Sequence, residues 1–471
     1  MLCLAAALLA STATSERDST SSATSDRDSG SEPRASGLTR GAAAEEAPRQ
    51  LHLAFADERT MAVGWLTHSA LPAPPRVRYG TRPGHYTHSA AGTTRHEADP
   101  AAPFLPFHHD VVLRSLRPGT RYYYVAEGVG GAASSERSFT TLPAPTADGA
   151  LKCTIFGDMG VNNSAATIAR MEQRADHAFI LHVGDVSYAD DLVDGRRYAG
   201  GRGYEAIYDA FGDMVEPLAS SKAYFVAPGN HDVACHILND RDCLDAHRNF
   251  TAYNRRWRMP SPESGGSLNM WYSFNAQRTH FVSIDTETDY DGAPTTPDTR
   301  FAGGRGGGFG DQMSWLEQDL QRAHADPAVD WIVVVGHRPI YESIDNAKDW
   351  PPDTVTRLRE HVEPMFLRYG VDLYIGAHKH YYERLAPLRN RKLCAAAEAC
   401  PTYLVHGSAG NNEPLSDKGT THQDWVRASD YSNRGFLEFE VVNATRAAVR
   451  FIRADDGLVH DEGWLHKASD Q

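Results

Sequence analysis

The chain has 471 residues, of which 41% are hydrophobic and 23% charged, so its length predicts two folded domains and its composition excludes fibrous and fully disordered classes. Its 47 Lys and Arg residues against 61 Asp and Glu residues give a formal charge of −14. This sign argues against nucleic acid as a structural partner, because a polyanion would be repelled. The sequence contains no stretch of about eighteen apolar residues, so no membrane span is expected.

The N-terminus begins with ten mostly apolar residues followed by small ones. This pattern predicts a signal peptide over residues 1–13, and hence a secreted, extracellular protein or one in a lysosome-like or vacuole-like compartment. No Lys or Arg precedes the run, so a frayed apolar terminus is the alternative. Three Asn-x-Ser/Thr triplets, beginning at Asn162, Asn249 and Asn443, give weak support for a glycoprotein.

Residues 14–46 contain almost no large apolar side chain. Burial cannot offset the entropy of ordering such a segment, so it is predicted to be a disordered leader. Residues 47–145 change to short runs in which apolar and polar residues alternate. This pattern predicts a β-sandwich of six or seven strands, and residues 116–122 resemble the loop-and-strand corner of fibronectin type III domains. The predicted strands are 51–55, 61–65, 76–79, 110–113, 122–125 and 138–141.

Residues 150–465 alternate apolar strand patterns with helical patterns, which predicts a layered α/β domain. Two further runs near the end, 435–442 and 447–452, predict a closing β-hairpin. The other predicted strands are 153–156, 178–183, 224–227, 281–284, 331–335, 373–375 and 403–405. The predicted helices are 165–174, 204–218, 312–324 and 354–369.

The chain has six cysteines, and Cys3 is lost if the signal peptide is removed. Cys235 with Cys243 and Cys394 with Cys400 form two close pairs in loop-like sequence, while Cys153 lies in a strand pattern. These positions predict two local disulfides and one buried thiol, as in an oxidising compartment. Five reduced thiols are the alternative, because close spacing alone does not ensure a geometry that can be bridged.

Polar residues directly follow five of the predicted strands, at the ends where open α/β sheets bind their ligands. One such residue alone is usually a turn, a helix cap or a surface histidine. Five successive strand ends that each deliver oxygen or imidazole groups are hard to attribute to turns. The five motifs are Gly-Asp158-Met-Gly, Gly-Asp185-Val-Ser-Tyr188, Gly-Asn230-His231-Asp232, Gly-His337-Arg-Pro and His378-Lys-His380.

Two carboxylates, one amide, one phenol and three imidazoles are more donors than a single tetrahedral ion requires. Their mixture of oxygen and nitrogen atoms is typical of first-row transition metals rather than of calcium or thiolate-bound zinc. The set therefore predicts two metal ions. In dinuclear centres the ions lie about 3.5–4 Å apart and share a bridging ligand, most simply a carboxylate.

The five motifs, together with Tyr382-Glu-Arg384, resemble the calcineurin-like metallophosphoesterases and specifically the purple acid phosphatases. The resemblance runs from about residue 51 to residue 465. It implies an α/β fold in which a fibronectin type III-like sandwich precedes a four-layer αββα catalytic domain. It also implies the metal ligands: Asp158, Tyr188 and His380 for Fe(III); Asn230, His337 and His378 for a divalent Fe, Zn or Mn; and Asp185 as the bridge.

The function implied by the resemblance is an acid phosphatase that hydrolyses phosphate monoesters with a metal-bound hydroxide. A cation lowers the pKa of bound water, so hydroxide is available in acid. His231 is the candidate catalytic residue that stabilises the phosphoryl group or protonates the leaving group, with a structural role as the alternative. The sandwich is expected to shape the rim of the cleft or to form the surface of a homodimer.

Two other functions remain open at the level of sequence. One is a metal-dependent phosphodiesterase or nucleotide phosphohydrolase of the same fold, and the more remote one is a non-catalytic binding module. The chain also departs from the family: Ala377 replaces a usual glycine, and the segment after His337 lacks a pair of substrate-contacting histidines found in plant enzymes. Asn346, Lys348 and His236 are candidates for the leaving-group side, although solvated loop residues are the simpler interpretation.

Overall fold

A computed structural model gives the fold of residues 47–190, 200–233, 244–293, 300–301, 304–305, 307–343, 354–395, 398–416 and 423–467. The predicted signal peptide and leader lie outside these described residues. So do the Cys235–Cys243 pair and the three leaving-group candidates His236, Asn346 and Lys348.

The first part of the chain is the predicted β-sandwich, with eight strands where the sequence predicts six or seven. Its strands are β1 (Arg49–Ala54), β2 (Met61–Thr67), β3 (Arg76–Gly80), β4 (His88–Ala91), β5 (Thr93–Arg95), β6 (Phe107–Leu113), β7 (Arg121–Ala126) and β8 (Arg137–Thr140). One of its sheets has the order β4-β3-β7-β8. At the predicted corner, the backbone N–H of Arg117 donates to the Tyr122 hydroxyl at 2.9 Å, the contact of a tyrosine corner.

Among the described residues, the following α/β part contains six α-helices, one 3-10 helix (Asn230–Val233) and nineteen strands. The helices are α1 (Ala165–Glu172), α2 (Gly200–Ala219), α3 (Thr251–Arg256), α4 (Ser261–Ser264), α5 (Gln312–Ala325) and α6 (Thr354–Tyr369). The strands up to α6 are β9 (Leu151–Phe156), β10 (Met159–Gly160), β11 (Phe179–Val183), β12 (Val186–Ser187), β13 (Ala223–Ala227), β14 (Tyr272–Ala276), β15 (Thr279–Ile284), β16 (Arg300–Phe301), β17 (Gly304–Arg305) and β18 (Trp331–Gly336). The later strands are β19 (Leu373–Gly376), β20 (Tyr382–Leu385), β21 (Leu388–Arg389), β22 (Lys392–Leu393), β23 (Thr402–His406), β24 (Val426–Asp430), β25 (Gly435–Asn443), β26 (Arg446–Arg453) and β27 (Val459–His466).

Two large sheets organise the fold. The first has the order β27-β26-β25-β9-β11-β13-β1-β2-β6-β5, and the second β14-β15-β18-β19-β23-β20-β24. The strands β9, β11 and β13 are mutually parallel, as are β15, β18, β19 and β23. Strand β1 pairs in parallel with β13 through Leu53 and Ala223. One sheet of the sandwich therefore continues the first sheet of the α/β part.

Aromatic side chains fill the space between the two sheets. Phe225 of β13 stacks on Phe274 of β14 with ring centroids 4.1 Å apart, and Phe179 of β11 meets Phe281 of β15 edge-on at 5.1 Å. Phe55, which follows β1 of the sandwich, meets Phe274 at 5.5 Å. All five rings are buried, and aromatic pairs of this kind contribute about 0.5–1.5 kcal/mol beyond burial. The sandwich thus shares a core with the α/β part.

The C-terminal prediction needs one correction. Strands β25 and β26 form the expected hairpin, but β27 pairs with β26 in antiparallel fashion and extends it to three strands. Strand β27 is half exposed, and its sequence lacks the apolar run that marks β25 and β26.

Cys394 and Cys400 form the predicted disulfide, and Cys153 is a buried free thiol. Within the described part of the chain, no helix has the length and hydropathy needed to cross a bilayer.

Candidate metal centre

The ends of parallel strands from both sheets bring the candidate donors together. Asp158 follows β9, Asp185 follows β11 and Asn230 follows β13, while His337 follows β18 and His378 follows β19. Because parallel strands end at the same edge of a sheet, these five side chains approach each other from two sheets. All of them are buried except His378, which is partly exposed.

The backbone of this region is strained. Asp158, Asp185, Tyr188 and His378 have φ values of 61°, 54°, 52° and 65°, in the left-handed region that residues other than glycine rarely adopt. Each such residue costs on the order of 1 kcal/mol or more and persists only where its surroundings enforce it. Strain of this kind is concentrated at functional sites.

Two glycines allow the loops to meet closely. A Cβ atom on Gly184 would lie 2.5 Å from Nδ1 of His337, and a Cβ atom on Gly229 would lie 2.3 Å from Oδ1 of Asp185. Neither space admits a side chain without movement of a candidate donor. The glycines that precede Asp185 and Asn230 are therefore required by the packing of the donors themselves.

One half of the donor cluster is centred on Tyr188. Its hydroxyl lies 3.0 Å from Oδ1 of Asp158, 3.0 Å from Nε2 of His380 and 3.4 Å from Oδ2 of Asp185. Nε2 of His380 is in turn 3.2 Å from Oδ1 of Asp158. The phenol is 1% exposed. Four of the seven candidate ligands thus meet at one buried point.

The other half is centred on His337. Its Nε2 lies 3.0 Å from Oδ2 of Asp185 and 3.1 Å from Oδ1 of Asn230, while its Nδ1 faces the backbone oxygen of Val183 at 3.1 Å. Ligand atoms of Asp185, His337 and His378 all lie within 4.8 Å of one another. Asp185 belongs to both halves, which is the position a bridging carboxylate requires.

His231 lies beside the cluster, between two carboxylates. Its Nδ1 is 3.1 Å from Oδ1 of Asp190, its Nε2 is 3.8 Å from Oε1 of Glu413, and its ring packs 4.2 Å from that of Tyr188. Its backbone N–H donates to Oδ1 of Asp185 at 2.8 Å. The main chain of His231 therefore holds the Asp185 carboxylate, and its imidazole is presented separately.

Charge and burial set the proton affinities of these groups. Burial and the carboxylate of Asp158 raise the pKa of Tyr188 well above its usual value. Burial would lower the pKa of His337, but Asp185 and Asp158 raise it to about 9. Burial likewise opposes protonation of His231, but Asp190 and Asp185 hold its pKa well above the ordinary range. His378 differs, because burial and the charge of Arg338 lower its pKa.

The donor set fits a pair of transition-metal ions. It combines hard oxygen donors with imidazoles, which is the mixture such ions prefer. A buried phenol against two carboxylates becomes a phenolate only if a cation compensates the added negative charge. A cation bound here would be held by the phenolate of Tyr188 together with the carboxylates of Asp158 and Asp185, which lie 3.0 and 3.4 Å from its oxygen.

Several residues near the donors had no role in the sequence interpretation. Asp190 and Glu413 contact His231, Glu413 Oε2 also lies 3.6 Å from Nδ1 of His380, and Asn411 donates to the backbone oxygen of Asp158 at 3.1 Å. Asp190 stands two residues after Tyr188 and could have been found from its place in the motif. Glu413 and Asn411 follow β23 in a loop with no recognisable donor pattern, so only the fold reveals them.

Comparisons with known proteins agree with this geometry. The family model described as the purple acid phosphatase N-terminal domain matches residues 48–141, that of the calcineurin-like phosphoesterases matches 151–382, and that of the iron/zinc purple acid phosphatase-like protein C matches 400–462. Acid phosphatase A of Cryphonectria parasitica is 30% identical over 89% of this chain and 92% of its own length. Acid phosphatase type 7 of Mus musculus is 30% identical over 89% of this chain and 90% of its own length.

Solved structures show the same architecture. A purple acid phosphatase from yellow lupin (Lupinus luteus) seeds superposes with a TM-score of 0.73 at 20% identity, covering 90% of this chain and 75% of that one. Two packed sheets with donors at their strand ends define a metallophosphoesterase fold. With the family models and relatives above, the chain belongs to the purple acid phosphatase family.

Proposed function

We propose that this chain is an acid phosphatase that hydrolyses phosphate monoesters at a dinuclear centre of Fe(III) and a divalent Fe, Zn or Mn. The observation that carries the proposal is the convergence of all seven predicted donors on the two points occupied by Tyr188 and His337. Asp158, Tyr188 and His380 would hold the ferric ion. Asn230, His337 and His378 would hold the divalent ion, with Asp185 shared between them.

When bound, the two cations supply the Lewis acidity that activates water in acid and offsets charge on the phosphate oxygens. The protein positions the donors before substrate arrives, because their loops are buried and hydrogen-bonded. Asp158 is held through its Oδ2 by the backbone N–H of His378 at 2.8 Å, and Asp185 is held by the backbone N–H of His231 at 2.8 Å. Little reorganisation is then needed during the reaction.

His231 is assigned the proton-transfer and phosphate-binding role. Asp190 accepts from Nδ1 of His231, so that nitrogen carries a proton and the ring orientation is fixed. A histidine beside the donors that retains its proton can donate to a phosphoryl oxygen or to the departing alkoxide. Glu413 is 3.8 Å from its other ring nitrogen and stabilises the same charge.

The proposal extends to location and partner. The chain is exported, and its substrate is a phosphate ester outside the cytosol. The Cys394–Cys400 disulfide supports an oxidising compartment, and the apolar N-terminal run supports a signal peptide. The homodimer stays a prediction.

The direct test is phosphate release from an aryl phosphate monoester at acidic pH, with Asp185→Asn as the variant. The amide keeps the size of the side chain but removes the negative charge that two cations share, so we expect both metal content and turnover to be lost. Turnover by Asp185→Asn at the wild-type rate would contradict the proposal. Faster hydrolysis of a diester than of the monoester would instead favour the phosphodiesterase alternative.

A further inference from the structure

The loop over residues 409–416 follows β23 and contacts one half of the donor cluster. Its first residues are joined to the loop after β9. The backbone N–H of Gly160 donates to the backbone oxygen of Gly410 at 2.9 Å, and Nδ2 of Asn163 donates to the backbone oxygen of Asn411 at 2.8 Å. A Cβ atom on Gly410, whose φ is 121°, would lie 2.3 Å from the backbone oxygen of Asn163. The main chains of the two loops are therefore in direct contact.

Asn411 connects this loop to Asp158. It is buried, its Nδ2 donates to the backbone oxygen of Asp158 at 3.1 Å, and its Oδ1 accepts from the backbone N–H of Glu413 at 2.8 Å. Because an amide has donors on one atom and an acceptor on the other, these two bonds fix its orientation. Its Nδ2 also lies 3.5 Å from Nε2 of His380, which is longer than an ordinary N–H hydrogen bond. Asn411 therefore holds the main chain of Asp158 and leaves Nε2 of His380 open to a cation.

The other end of the loop holds His380 at three points. The backbone N–H of His380 donates to Oγ of Ser416 at 3.1 Å, and the N–H of Ser416 donates back to the backbone oxygen of His380 at 3.1 Å. Nδ1 of His380 lies 3.2 Å from the backbone oxygen of Pro414. Two residues of one loop thus fix both the main chain and the ring of His380.

These contacts determine which ring nitrogen of His380 carries a proton. A backbone oxygen only accepts, so Nδ1 of His380 is the donor in its contact with Pro414, and Oε2 of Glu413 faces the same nitrogen at 3.6 Å. The lone pair of the neutral ring is then on Nε2. This nitrogen lies 3.0 Å from the Tyr188 hydroxyl and 3.2 Å from Oδ1 of Asp158. A cation there takes that lone pair and displaces any proton from Nε2, while Nδ1 keeps its own.

Both ligands that the loop holds belong to the proposed Fe(III) half of the centre. A histidine ligand is oriented by the acceptor of its second ring N–H, and partners of this kind support the affinity for the metal. We infer that Ser416 is a positioning residue that holds His380 for Fe(III). Asn411 holds Asp158 in the same way. The inference rests on the proposed function, because it assigns supporting residues to one half of the proposed centre.

The test treats the purified holoprotein with rising concentrations of a chelator and follows the visible absorption of Tyr188 bound to Fe(III). Ser416→Ala removes the hydroxyl that accepts from His380. We therefore expect its absorption to fall by half at a chelator concentration about 10- to 100-fold lower than in wild type, the range seen when residues that support metal ligands are changed. Ser416→Thr keeps the hydroxyl and should retain the wild-type midpoint. Asn411→Ala should shift the midpoint in the same direction as Ser416→Ala.

Ser134→Ala is the matched control. The backbone N–H of Ala126 donates to Oγ of Ser134 at 3.0 Å, and the N–H of Ser134 donates back to the backbone oxygen of Ala126 at 2.9 Å. This repeats the pairing of Ser416 with His380 inside the sandwich. A hydroxyl with only a structural role lowers the urea concentration at which the protein unfolds and leaves the chelator midpoint unchanged. That is the result expected for Ser134→Ala.

A chelator midpoint in Ser416→Ala equal to that of wild type would overturn the inference. Loss of iron from Ser416→Thr as easily as from Ser416→Ala would overturn it as well, because the hydroxyl would then be irrelevant. If Asn411→Ala does not fold, the two Ser416 variants give the comparison. A wild-type protein without iron, or without the visible absorption, would contradict the proposed function itself.

Discussion

At the scale of single residues, Tyr188 most restricts which metal ions the donor cluster can bind. Its role as a ligand was implied by the resemblance to the purple acid phosphatases, and the fold brings its hydroxyl within 3.4 Å of three other candidate donors. The roles of the seven residues as ligands stay predictions. Glu413 was missed because a sequence pattern shows which donors follow strands, but not which carboxylate a distant loop brings to a histidine.

His231 gives a prediction at this scale. His231→Asn should lower kcat by roughly 100-fold or more, because a positioned acid typically contributes 100- to 10,000-fold. Metal content should remain at the wild-type level, since the contact that holds Asp185 comes from the backbone N–H of residue 231. Elemental analysis and steady-state kinetics on the same preparation separate the two effects. An unchanged kcat, or metal loss as large as the loss of rate, would contradict the assigned role.

At the scale of elements, the sequence predicted the four longest helices and most of the longer buried strands, but it missed the buried strands β14 and β20. Helix α6 begins and ends at the predicted residues, and each predicted strand is present with small shifts at its ends. Strands β4, β5 and β27 were missed because they are largely exposed and lack an apolar pattern. The pairing of β1 with β13 could not be predicted, because strand partners far apart in the chain leave no local signal.

Strand β1 also carries a group that links stability to pH. Nδ1 of His52 faces the backbone oxygen of Gln50 at 2.9 Å, and its ring packs 4.9 Å from that of Trp257. Burial, with a smaller contribution from the charge of Arg95, lowers the pKa of His52 to about 4, compared with about 6.5 in an unfolded chain. Between these values the unfolded state binds more protons, so stability falls as pH decreases from about 6.5 to about 4.

We therefore expect His52→Gln to unfold with a weaker pH dependence than wild type. The contribution of this group is at most about 3 kcal/mol over that window, at 1.36 kcal/mol for each unit of pKa shift. Urea unfolding at pH 7 and pH 5 measures the difference, with the exposed His85→Gln as control. Equal loss of stability on acidification in wild type and His52→Gln would show that His52 does not titrate as described.

At the scale of the whole molecule, the fold class and family predicted from the sequence are confirmed. The predicted domain boundaries stay predictions. The sequence interpretation placed the sandwich in a domain of its own that shapes the rim of the cleft or forms a dimer surface. In the structure Phe55 lies in the aromatic core between the two large sheets and β1 extends the first of them. This shared sheet and core depend on contacts between residues far apart in the chain. Sequence patterns within single segments therefore could not predict them.

The central claim is that the donor cluster at the strand ends holds two metal ions, one of them bound by the phenolate of Tyr188. Elemental analysis with a visible spectrum, made on wild type and Tyr188→Phe, tests it most directly. The account predicts two metals per chain, at least one of them iron, and a visible absorption band in wild type that Tyr188→Phe lacks. One metal or none in the wild type, or a band that survives in Tyr188→Phe, would contradict it.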